Sequence, residues 1–492
     1  MRKLFIAAAV ASAVLTPLSA QSANDSANFA MRLEPPGLDP RSGAAAAIST
    51  ITLYNVFEGL TRIDASGNVQ PNLAESWTVS DDGKTYTFKL VEGAKFHDGA
   101  DFDSSDVKYT FEANAAEDSK IKRKERFTNM ESITTPDANT VVITLKEPRP
   151  DLLAQLGEST AVIVDPGSVS GNATTPIGTG PYKFDSWIKG DSVKLSAAET
   201  YRDAANVPIQ KVSFRFIGDG TARLASLLAG DVDFAAIPNE LLSSNALNDN
   251  FVIIDGNTNG ETILSTNNAN EALSKLKVRQ AIAHALKRED IIDGAMFGYG
   301  TPIGSHFAPH HPDYIDLTNT YPYDPEKSKQ LLAEAGYPDG LALSLKLPPV
   351  DDYARKGGQI VASQLEKAGF KITIENVDWP KWLDEVYKKK NYDLSIVSHV
   401  EPMDIGIYAR DGYYFNYKNE KFNDIIRQAD SAQSPAQRTE LLQQAQTILA
   451  EEAVNGYLFQ LPRVVVVRKG LNGVWKDLHL FSTDVARMSW DN

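Results

Sequence analysis

The sequence of 492 residues contains no cysteine. This absence excludes disulfide bonds, thiolate ligands for a metal ion and cysteine nucleophiles. It also excludes a lipid anchor of the kind that is attached to a cysteine at the processing point. If the chain is exported, its hydrophobic core alone must hold the fold together.

Basic residues are fewer than acidic ones. The chain has 49 lysines and arginines against 64 aspartates and glutamates, which gives a formal net charge of −15. Binding to nucleic acid needs a basic surface, and no basic surface stands out in this sequence. Nucleic acid is therefore not an expected partner.

Long hydrophobic runs are confined to the N-terminus. Arg2 and Lys3 precede an apolar run over residues 4–18, and small residues follow up to Ala20. This order is typical of a secretory signal peptide, whereas a membrane-spanning helix would need about 20 apolar residues. We predict that residues 1–20 are a cleaved signal peptide and that the protein is exported without a lipid anchor.

Signatures of common enzymes are also missing. The sequence has no G-x-S-x-G elbow, no G-x-x-x-x-G-K-[ST] phosphate loop and no H-E-x-x-H zinc helix. Glu401 and Asp404 lie three residues apart in a predicted loop, a spacing that does not identify a pair of catalytic carboxylates. We predict that the protein is not an enzyme.

Seven histidines raise the question of a metal ion. His306, His310 and His311 belong to a loop that contains prolines, and His399 lies near two acids in another loop. These spacings do not give the regular ligand face of a zinc-binding helix. Neither a metal site nor a cofactor is predicted.

The later half of the sequence alternates helices with strands. Earlier stretches such as TYTFKLVEG, TVVITLKEP and KVSFRFI are predicted as strands, the first from its strict period-two alternation. Asp103 or Ser104, Asp324 and Ser434 are at predicted helix N-cap positions, and Pro325 and Pro435 follow the last two. This pattern predicts an α/β fold with much parallel sheet.

Residues 398–417, SHVEPMDIGIYARDGYYFNY, follow an apolar run, NYDLSIV, that predicts a strand. The stretch combines a histidine, two acids and several aromatic residues. Loops that follow strands at the edge of an α/β sheet commonly bind ligands. We interpret this stretch as part of a binding site.

Residues 70–112, QPNLAESWTVSDDGKTYTFKLVEGAKFHDGADFDSSDVKYTFE, are the most distinctive block of the sequence. Further blocks follow in order, among them TPIGTGPYKFDSW, ARLASLLAGDVDFA, YDPEKSKQLLAEAGYPDG and NYKNEKFNDIIRQA. Together they resemble the peptide/nickel family (family 5) of extracytoplasmic solute-binding proteins, the receptor subunits of bacterial ABC importers. The resemblance covers nearly all of the chain after the predicted signal peptide.

The resemblance implies a two-lobed periplasmic-binding-protein fold (type II, cluster C) with an extra subdomain. The two lobes of such proteins close on the ligand about a hinge. The expected segments are 21–52, 171–262 and 458–492 for lobe I, 53–170 for the extra subdomain of lobe I, and 263–457 for lobe II.

The resemblance also implies which residues bind the ligand. In peptide-binding members an arginine binds the carboxylate of short peptides, and Arg355 is at the matching position; a solvated arginine in a helix's first turn is the alternative. The ammonium-binding aspartate of those members aligns with Ser398, so Asp404 or Glu401 is expected to replace it. His399 belongs to the same loop.

Two more contacts complete the expected site. Tyr408 is expected to form a wall that excludes water around the ligand. The backbone at Gly43 and Ala44 is expected to face this wall from lobe I.

The implied function is that of a periplasmic receptor for a short peptide or a peptide-like, amino-acid-derived solute. The receptor would close on the solute as a monomer and deliver it to an inner-membrane ABC permease. A carrier of a metal chelate or haem, through His399 or the 306–311 loop, is an alternative on the same fold.

Two further alternatives remain. A carrier of an oligosaccharide or opine-like solute would stack residues 413–415 on a sugar ring, although packing of these residues in the core under the following helix is favoured. An exported hydrolase would act through Glu401 and Asp404.

Overall fold

The computed structural model describes residues 24–41, 45–243, 247–401 and 404–491. The predicted signal peptide, residues 1–20, lies outside the described residues, and so do Gly43 and Ala44. No helix within the described ranges is both long enough and apolar enough to span a membrane.

Strands occur along the whole described chain. In order they are β1 Ser26–Met31, β2 Thr61–Ile63, β3 Val69–Pro71, β4 Ala74–Val79, β5 Thr85–Leu90, β6 Met130–Asp137, β7 Thr140–Leu145, β8 Tyr182–Ile188, β9 Ser192–Ala197, β10 Lys211–Phe216, β11 Phe234–Ala235, β12 Phe251–Thr266, β13 Thr301–Pro302, β14 Leu341–Leu347, β15 Phe370–Asn376, β16 Leu394–His399, β17 Gly456–Arg468, β18 Leu471–Asn472 and β19 Ser489–Trp490.

Most of the longer helices belong to the second half of the chain. In order they are α1 Ala46–Thr52, α2 Ser104–Ala115, α3 Glu125–Thr128, α4 Leu152–Gln155, α5 Gly220–Ala229, α6 Leu276–Ala285, α7 Arg288–Met296, α8 Pro325–Glu334, α9 Gly357–Lys367, α10 Trp379–Trp382, α11 Glu420–Asp430 and α12 Pro435–Glu451. A π-helical segment, Asp351–Lys356, leads into α9, another, Leu383–Lys388, follows α10, and a 3-10 helix, Asp404–Ala409, follows β16.

The predicted helix starts are confirmed. Asp103, Asp324 and Ser434 each accept a hydrogen bond from a backbone N–H in the first turn of α2, α8 and α12. Asp106 bonds back to the backbone of Asp103, which completes a reciprocal capping box. These caps satisfy backbone donors that have no partner inside the helix.

Within the described residues, eleven strands form one sheet in the order β15-β14-β16-β12-β17-β11-β1-β10-β9-β8, with β13 also pairing with β17. β14 is parallel to both of its neighbours, and so is β1, while β12 and β17 form a long antiparallel pair in the middle. A separate four-stranded antiparallel sheet, β4-β5-β7-β6, lies in the segment predicted as the extra subdomain. The predicted α/β fold class is confirmed.

β12 and β17 carry the chain between the two halves of the large sheet. Residues 251–257 of β12 pair with residues 462–468, and pairing resumes at Glu261 opposite Gln460 after an irregularity in the register. The ladder is interrupted over Thr258–Gly260, where the side chains of Thr258 and Gln460 donate the hydrogen bonds that join the two strands. This break lies inside the range predicted for lobe I, and the exact lobe boundaries stay a prediction.

Separate hydrophobic clusters lie on the two sides of the break. One side is filled by clusters that include Leu264, Ile282, Leu345, Ile396 and Phe422, and the other by a cluster that includes Phe29, Phe57, Val193, Phe214 and Val465. A further cluster fills the small sheet with residues such as Phe88, Phe96, Phe111 and Ile143. Separate cores are expected of units that pack independently.

Candidate ligand-binding site

A cavity of about 190 Å³ lies where the halves of the large sheet meet. Thr258, Asn259 and Leu461, at the break between β12 and β17, form part of its lining. The remaining lining comes from three other parts of the chain: Pro40, Ala46, Ser49, Leu53, Leu478, Leu480 and Phe481; Lys122, Arg123, Glu158, Ser159 and Thr160; and Val400 and Glu401. The cavity therefore touches both predicted lobes and the extra subdomain.

A wider cavity of about 930 Å³ shares several of these residues and extends between the segments predicted as the extra subdomain and as lobe II. Its lining contains six basic residues, Lys122, Arg123, Arg126, Arg149, Arg410 and Arg438, and six acidic ones, Glu125, Asp151, Glu158, Glu401, Asp404 and Asp430. Because the charges are balanced in number, this lining suits a ligand that itself carries both signs of charge.

Glu401 follows β16 and reaches across the cleft. Its carboxylate lies 3.1 Å from the Arg123 guanidinium and 3.6 Å from the Lys122 ammonium. Arg123 also lies 3.1 Å from Glu158. The side chain of Glu401 is 52% exposed, so water reaches this pair. We call Lys122, Arg123, Glu158 and Glu401 the cleft contact; it brings one predicted site residue, Glu401, against basic residues that the sequence reasoning did not single out.

Two other ion pairs join the same two parts of the molecule. Arg149 lies 3.1 Å from Asp430 of α11. Arg438 of α12 lies 3.7 Å from Asp151. The two walls of the wider cavity are thus held together by charged pairs at several points.

Asp404, three residues after Glu401, has a different environment. Its carboxylate oxygens lie 2.7 Å from His306 Nε2 and 3.6 Å from His399 Nδ1. Burial would raise the pKa of this carboxyl, but the charge and hydrogen bond of His306, together with those of His399, hold it well below its ordinary value. Asp404 therefore already has two partners inside the protein.

The outer ring nitrogens of both histidines face tyrosines. His306 Nδ1 lies 3.2 Å from the Tyr408 hydroxyl, and His399 Nε2 lies 3.0 Å from the Tyr414 hydroxyl. Tyr408 also accepts a hydrogen bond from the Asn455 side chain. Tyr408 is buried behind Asp404 and lines neither of the two cavities, so its role as a wall of the site stays a prediction.

Glu261 of β12 completes this group of polar side chains. It is directly opposite His399 in the sheet and is 5% exposed. Burial, together with the charge of Asp404, raises the pKa of Glu261 well above its ordinary value. We call Glu261, His306, His399 and Asp404 the inner cluster.

The inner cluster is the main feature that the histidine spacing did not predict. His306 and His399 are 93 residues apart in sequence, and their ring centroids are 5.4 Å apart. A glutamate at the start of the apolar run ETILST was the available signal for Glu261. For the cleft contact, the signal was the basic run KIKRKER at residues 120–126.

The aromatic stretch at residues 413–415 divides between core and cavity. Tyr414 and Phe415 are each 1% exposed and belong to a core cluster that includes Phe422 of the following helix, as the favoured alternative predicted. Tyr413 lines the wider cavity.

Ser398 and Arg355 lie close to this region. Ser398 pairs with Thr262 across the β16–β12 ladder, and its Oγ is buried without a hydrogen-bond partner among the described residues. Arg355 lies in the π-helical segment that precedes α9, is half-buried, and lines neither cavity. Ligand contacts by these two residues stay predictions.

Comparison with known proteins identifies the family. The model of bacterial extracellular solute-binding proteins, family 5 (middle), matches residues 68–425. The glutathione-binding protein GsiB of Escherichia coli K12 is 29% identical over 459 residues, which cover 89% of each chain.

Solved structures agree with this match. The PBP AgaA from A. tumefaciens R10, solved in complex with agropinic acid, has a TM-score of 0.77 and 26% identity, covering 95% of this chain and 99% of that one. NikZ from Campylobacter jejuni, solved with Ni(L-His), has a TM-score of 0.78 and 24% identity, with 95% and 99% covered. The predicted two-lobed fold is confirmed, and the chain belongs to the bacterial extracellular solute-binding proteins of family 5.

Proposed function

We propose that the protein is the periplasmic receptor of an ABC importer and that it binds a short peptide or a peptide-like, amino-acid-derived solute between its lobes. The chain is exported with residues 1–20 removed, works as a monomer and hands its cargo unchanged to an inner-membrane permease. The observation that carries the proposal is the pair of opposite charges, Glu401 and Arg123, 3.1 Å apart across a cleft whose cavities they both line.

A zwitterionic ligand can bind here by separating Glu401 from Arg123 and pairing with each of them. The ligand carboxylate takes the place of Glu401 beside Arg123 and Lys122, and the ligand ammonium takes the place of Arg123 beside Glu401 and Glu158. A fork-shaped guanidinium is suited to the carboxylate. Glu401 is the better ammonium ligand of the two predicted acids, because Asp404 is already held by His306.

The size of the cleft agrees with a small peptide. Small-molecule sites typically have volumes of about 300–1,000 Å³, and the wider cavity has about 930 Å³. The relative GsiB is named for glutathione, which is a peptide, and this supports the same ligand class here. Agropinic acid, the ligand in the AgaA structure, makes opine-like solutes the second candidate.

Binding and closure are measured together. Titration calorimetry with a panel of dipeptides, tripeptides including glutathione, and opines identifies ligands, and small-angle scattering measures compaction on binding. Because the ligand favours the closed form, a compaction should accompany every binding event. Mass spectrometry of whatever co-purifies supplies further candidates for the panel.

Arg123→Ala tests the assignment of the carboxylate site. We expect the Kd to rise at least about tenfold, which corresponds to about 1.4 kcal/mol. Lys124→Ala is the matched control, because Lys124 is the adjacent basic residue and bonds the carbonyl of Glu117 away from the cavities. Equal affinities for Arg123→Ala and the parent protein would contradict the site, and a product in place of the added ligand would contradict the function.

A further inference from the structure

The inner cluster has the composition of a metal site. One ring nitrogen each of His306 and His399 and a carboxylate oxygen of Asp404 lie within 4.8 Å of one another. These groups come from the loop after β13, from the end of β16 and from the 3-10 helix that follows it. Two segments distant in sequence, the loop that holds His306 and the stretch from His399 to Asp404, therefore direct ligand-type atoms at one point.

Glu261 supplies a fourth group directed at the same point. Its Oε2 lies 4.0 Å from His306 Nε2 and has no hydrogen-bond partner among the described residues. A buried carboxylate oxygen without a partner is costly, so its environment lacks something that it would bind. A cation between Glu261, His306 and Asp404 would remove that cost.

The two histidines are oriented as metal ligands are. Their outer nitrogens face the hydroxyls of Tyr408 and Tyr414, which leaves His306 Nε2 and His399 Nδ1 directed at the carboxylates. Histidine ligands usually donate their second N–H to such an outer partner, which fixes the ring and its tautomer. For His306, a metal on Nε2 requires the Nδ1 proton to be donated to the Tyr408 oxygen.

We propose that the inner cluster binds a divalent first-row transition-metal ion, with Zn²⁺ as the reference, through His306, His399, Asp404 and Glu261. Two neutral imidazoles and two carboxylates balance the charge of such an ion, and imidazole and carboxylate are ligands that Zn²⁺ accepts. The ion is resident beside the cleft and is not its cargo, so titration with Zn²⁺ tests this site without any cleft ligand.

The geometry needs only small shifts. Zinc bonds of about 2.0–2.1 Å place tetrahedral ligand atoms roughly 3.3 Å apart. The observed separations are 2.7 Å for His306 to Asp404, 3.6 Å for His399 to Asp404 and 4.0 Å for His306 to Glu261. Each of these three separations differs from the required value by less than about 1 Å. The ligand atoms of His306, His399 and Asp404 all lie within 4.8 Å of one another, so the widest pair would have to close by up to about 1.5 Å. His399 and Asp404 also line the wider cavity, which gives the ion a route in from the cleft.

The test uses the purified protein after removal of metals with a chelator. Zn²⁺ is titrated by calorimetry, and Co²⁺ is titrated in parallel because its visible absorption reports the number and type of ligands. We expect one equivalent of Zn²⁺ to bind, Co²⁺ to give the absorption of a four-coordinate site, and Zn²⁺ to raise the Tm.

Two variants remove one ligand each. His399→Gln and Glu261→Gln should weaken Zn²⁺ binding by at least about 10–100-fold. Glu261→Gln also distinguishes a ligand from a purely structural residue. Without metal this variant should be at least as stable as the parent, because it removes a buried charge whose Oε2 has no hydrogen-bond partner among the described residues; with Zn²⁺ the parent should gain more stability than the variant.

Two controls remove an imidazole elsewhere. His284→Gln changes a histidine that faces the carbonyl of Pro322, and His479→Gln changes the one that packs against His310. Both should bind Zn²⁺ as the parent does. The proposal is overturned if the parent binds no Zn²⁺, or if binding survives in His399→Gln and is lost in His479→Gln.

Discussion

Glu401 and Asp404 are only three residues apart after β16, yet they are parts of two contrasting regions. The cleft contact around Glu401 joins two parts of the molecule through charges that water reaches. The inner cluster around Asp404 is largely buried, and both oxygens of the Asp404 carboxylate face imidazoles. The comparison shows two carboxylates three residues apart in sequence with different roles. Glu401 can exchange its partners with a ligand, whereas Asp404 is bound by two histidines inside the protein.

The charged groups of the two regions should also differ in how much they contribute to the free energy of unfolding. Exposed ion pairs contribute about 0–1 kcal/mol, since water competes for both charges. A buried charge that loses its partner costs about 3–5 kcal/mol, because nothing replaces the partner. Substitutions in the two regions should therefore differ severalfold in their effect on stability.

The largest effect is expected for Asp404→Asn. The substitution keeps the shape but removes the charge that His306 and His399 face, so the free energy of unfolding should fall by about 2–4 kcal/mol. Urea unfolding in a chelator-containing buffer measures this loss without any contribution from metal. Glu261→Gln is the matched control in the same cluster and should not destabilise the protein. If Asp404→Asn is as stable as the parent, the claim that Asp404 is a buried charge that needs its partners is wrong.

Much of the fold was predictable because its signals are local. Asp103, Asp324 and Ser434 satisfy backbone donors one turn away, so their effect can be read from neighbouring letters. Ordered sequence blocks implied the two-lobed family fold. The inner cluster was not predictable, because His306 meets His399 only through the pairing of β12 with β16 and the packing of two loops.

The cleft was predictable only in part. Glu401 was expected at the site from its position after a strand, and it does line both cavities. Arg123 lies in a different unit, and its approach to Glu401 depends on how that unit packs against lobe II. No local sequence pattern encodes such a distance. The basic run at residues 120–126 therefore could not predict which acid Arg123 contacts.

An intermediate effect is expected where two half-buried histidines pack against each other. His310 and His479 have ring centroids 4.8 Å apart, and neither ring nitrogen of His310 has a hydrogen-bond partner among the described residues. Burial, followed by the proximity of His479, lowers the pKa of His310 from 6.5 to about 4. Burial likewise lowers the pKa of His311 to about 4.

Stability should therefore depend on pH through these histidines. The unfolded chain binds their protons more tightly than the folded one, so their contribution is complete above pH 6.5 and is lost as the pH falls from 6.5 towards 4. We expect His310→Gln to reduce this loss by about 1–2 kcal/mol in urea unfolding over that pH range. His284→Gln should keep the slope of the parent. A slope unchanged in His310→Gln would show that this histidine is not held neutral by its surroundings.

The smallest effect is expected for Glu401→Gln in the absence of ligand. The substitution removes an exposed ion pair with Arg123 and Lys122, so the free energy of unfolding should fall by less than about 1 kcal/mol. Salt separates the two regions further, because the Debye length shrinks from about 10 Å at 0.1 M to about 3 Å at 1 M. The difference between Glu401→Gln and the parent should vanish at 1 M salt, while the loss caused by Asp404→Asn should persist. If instead both differences shrink in proportion, water and ions reach the inner cluster as freely as the cleft, and the two acids belong to one environment.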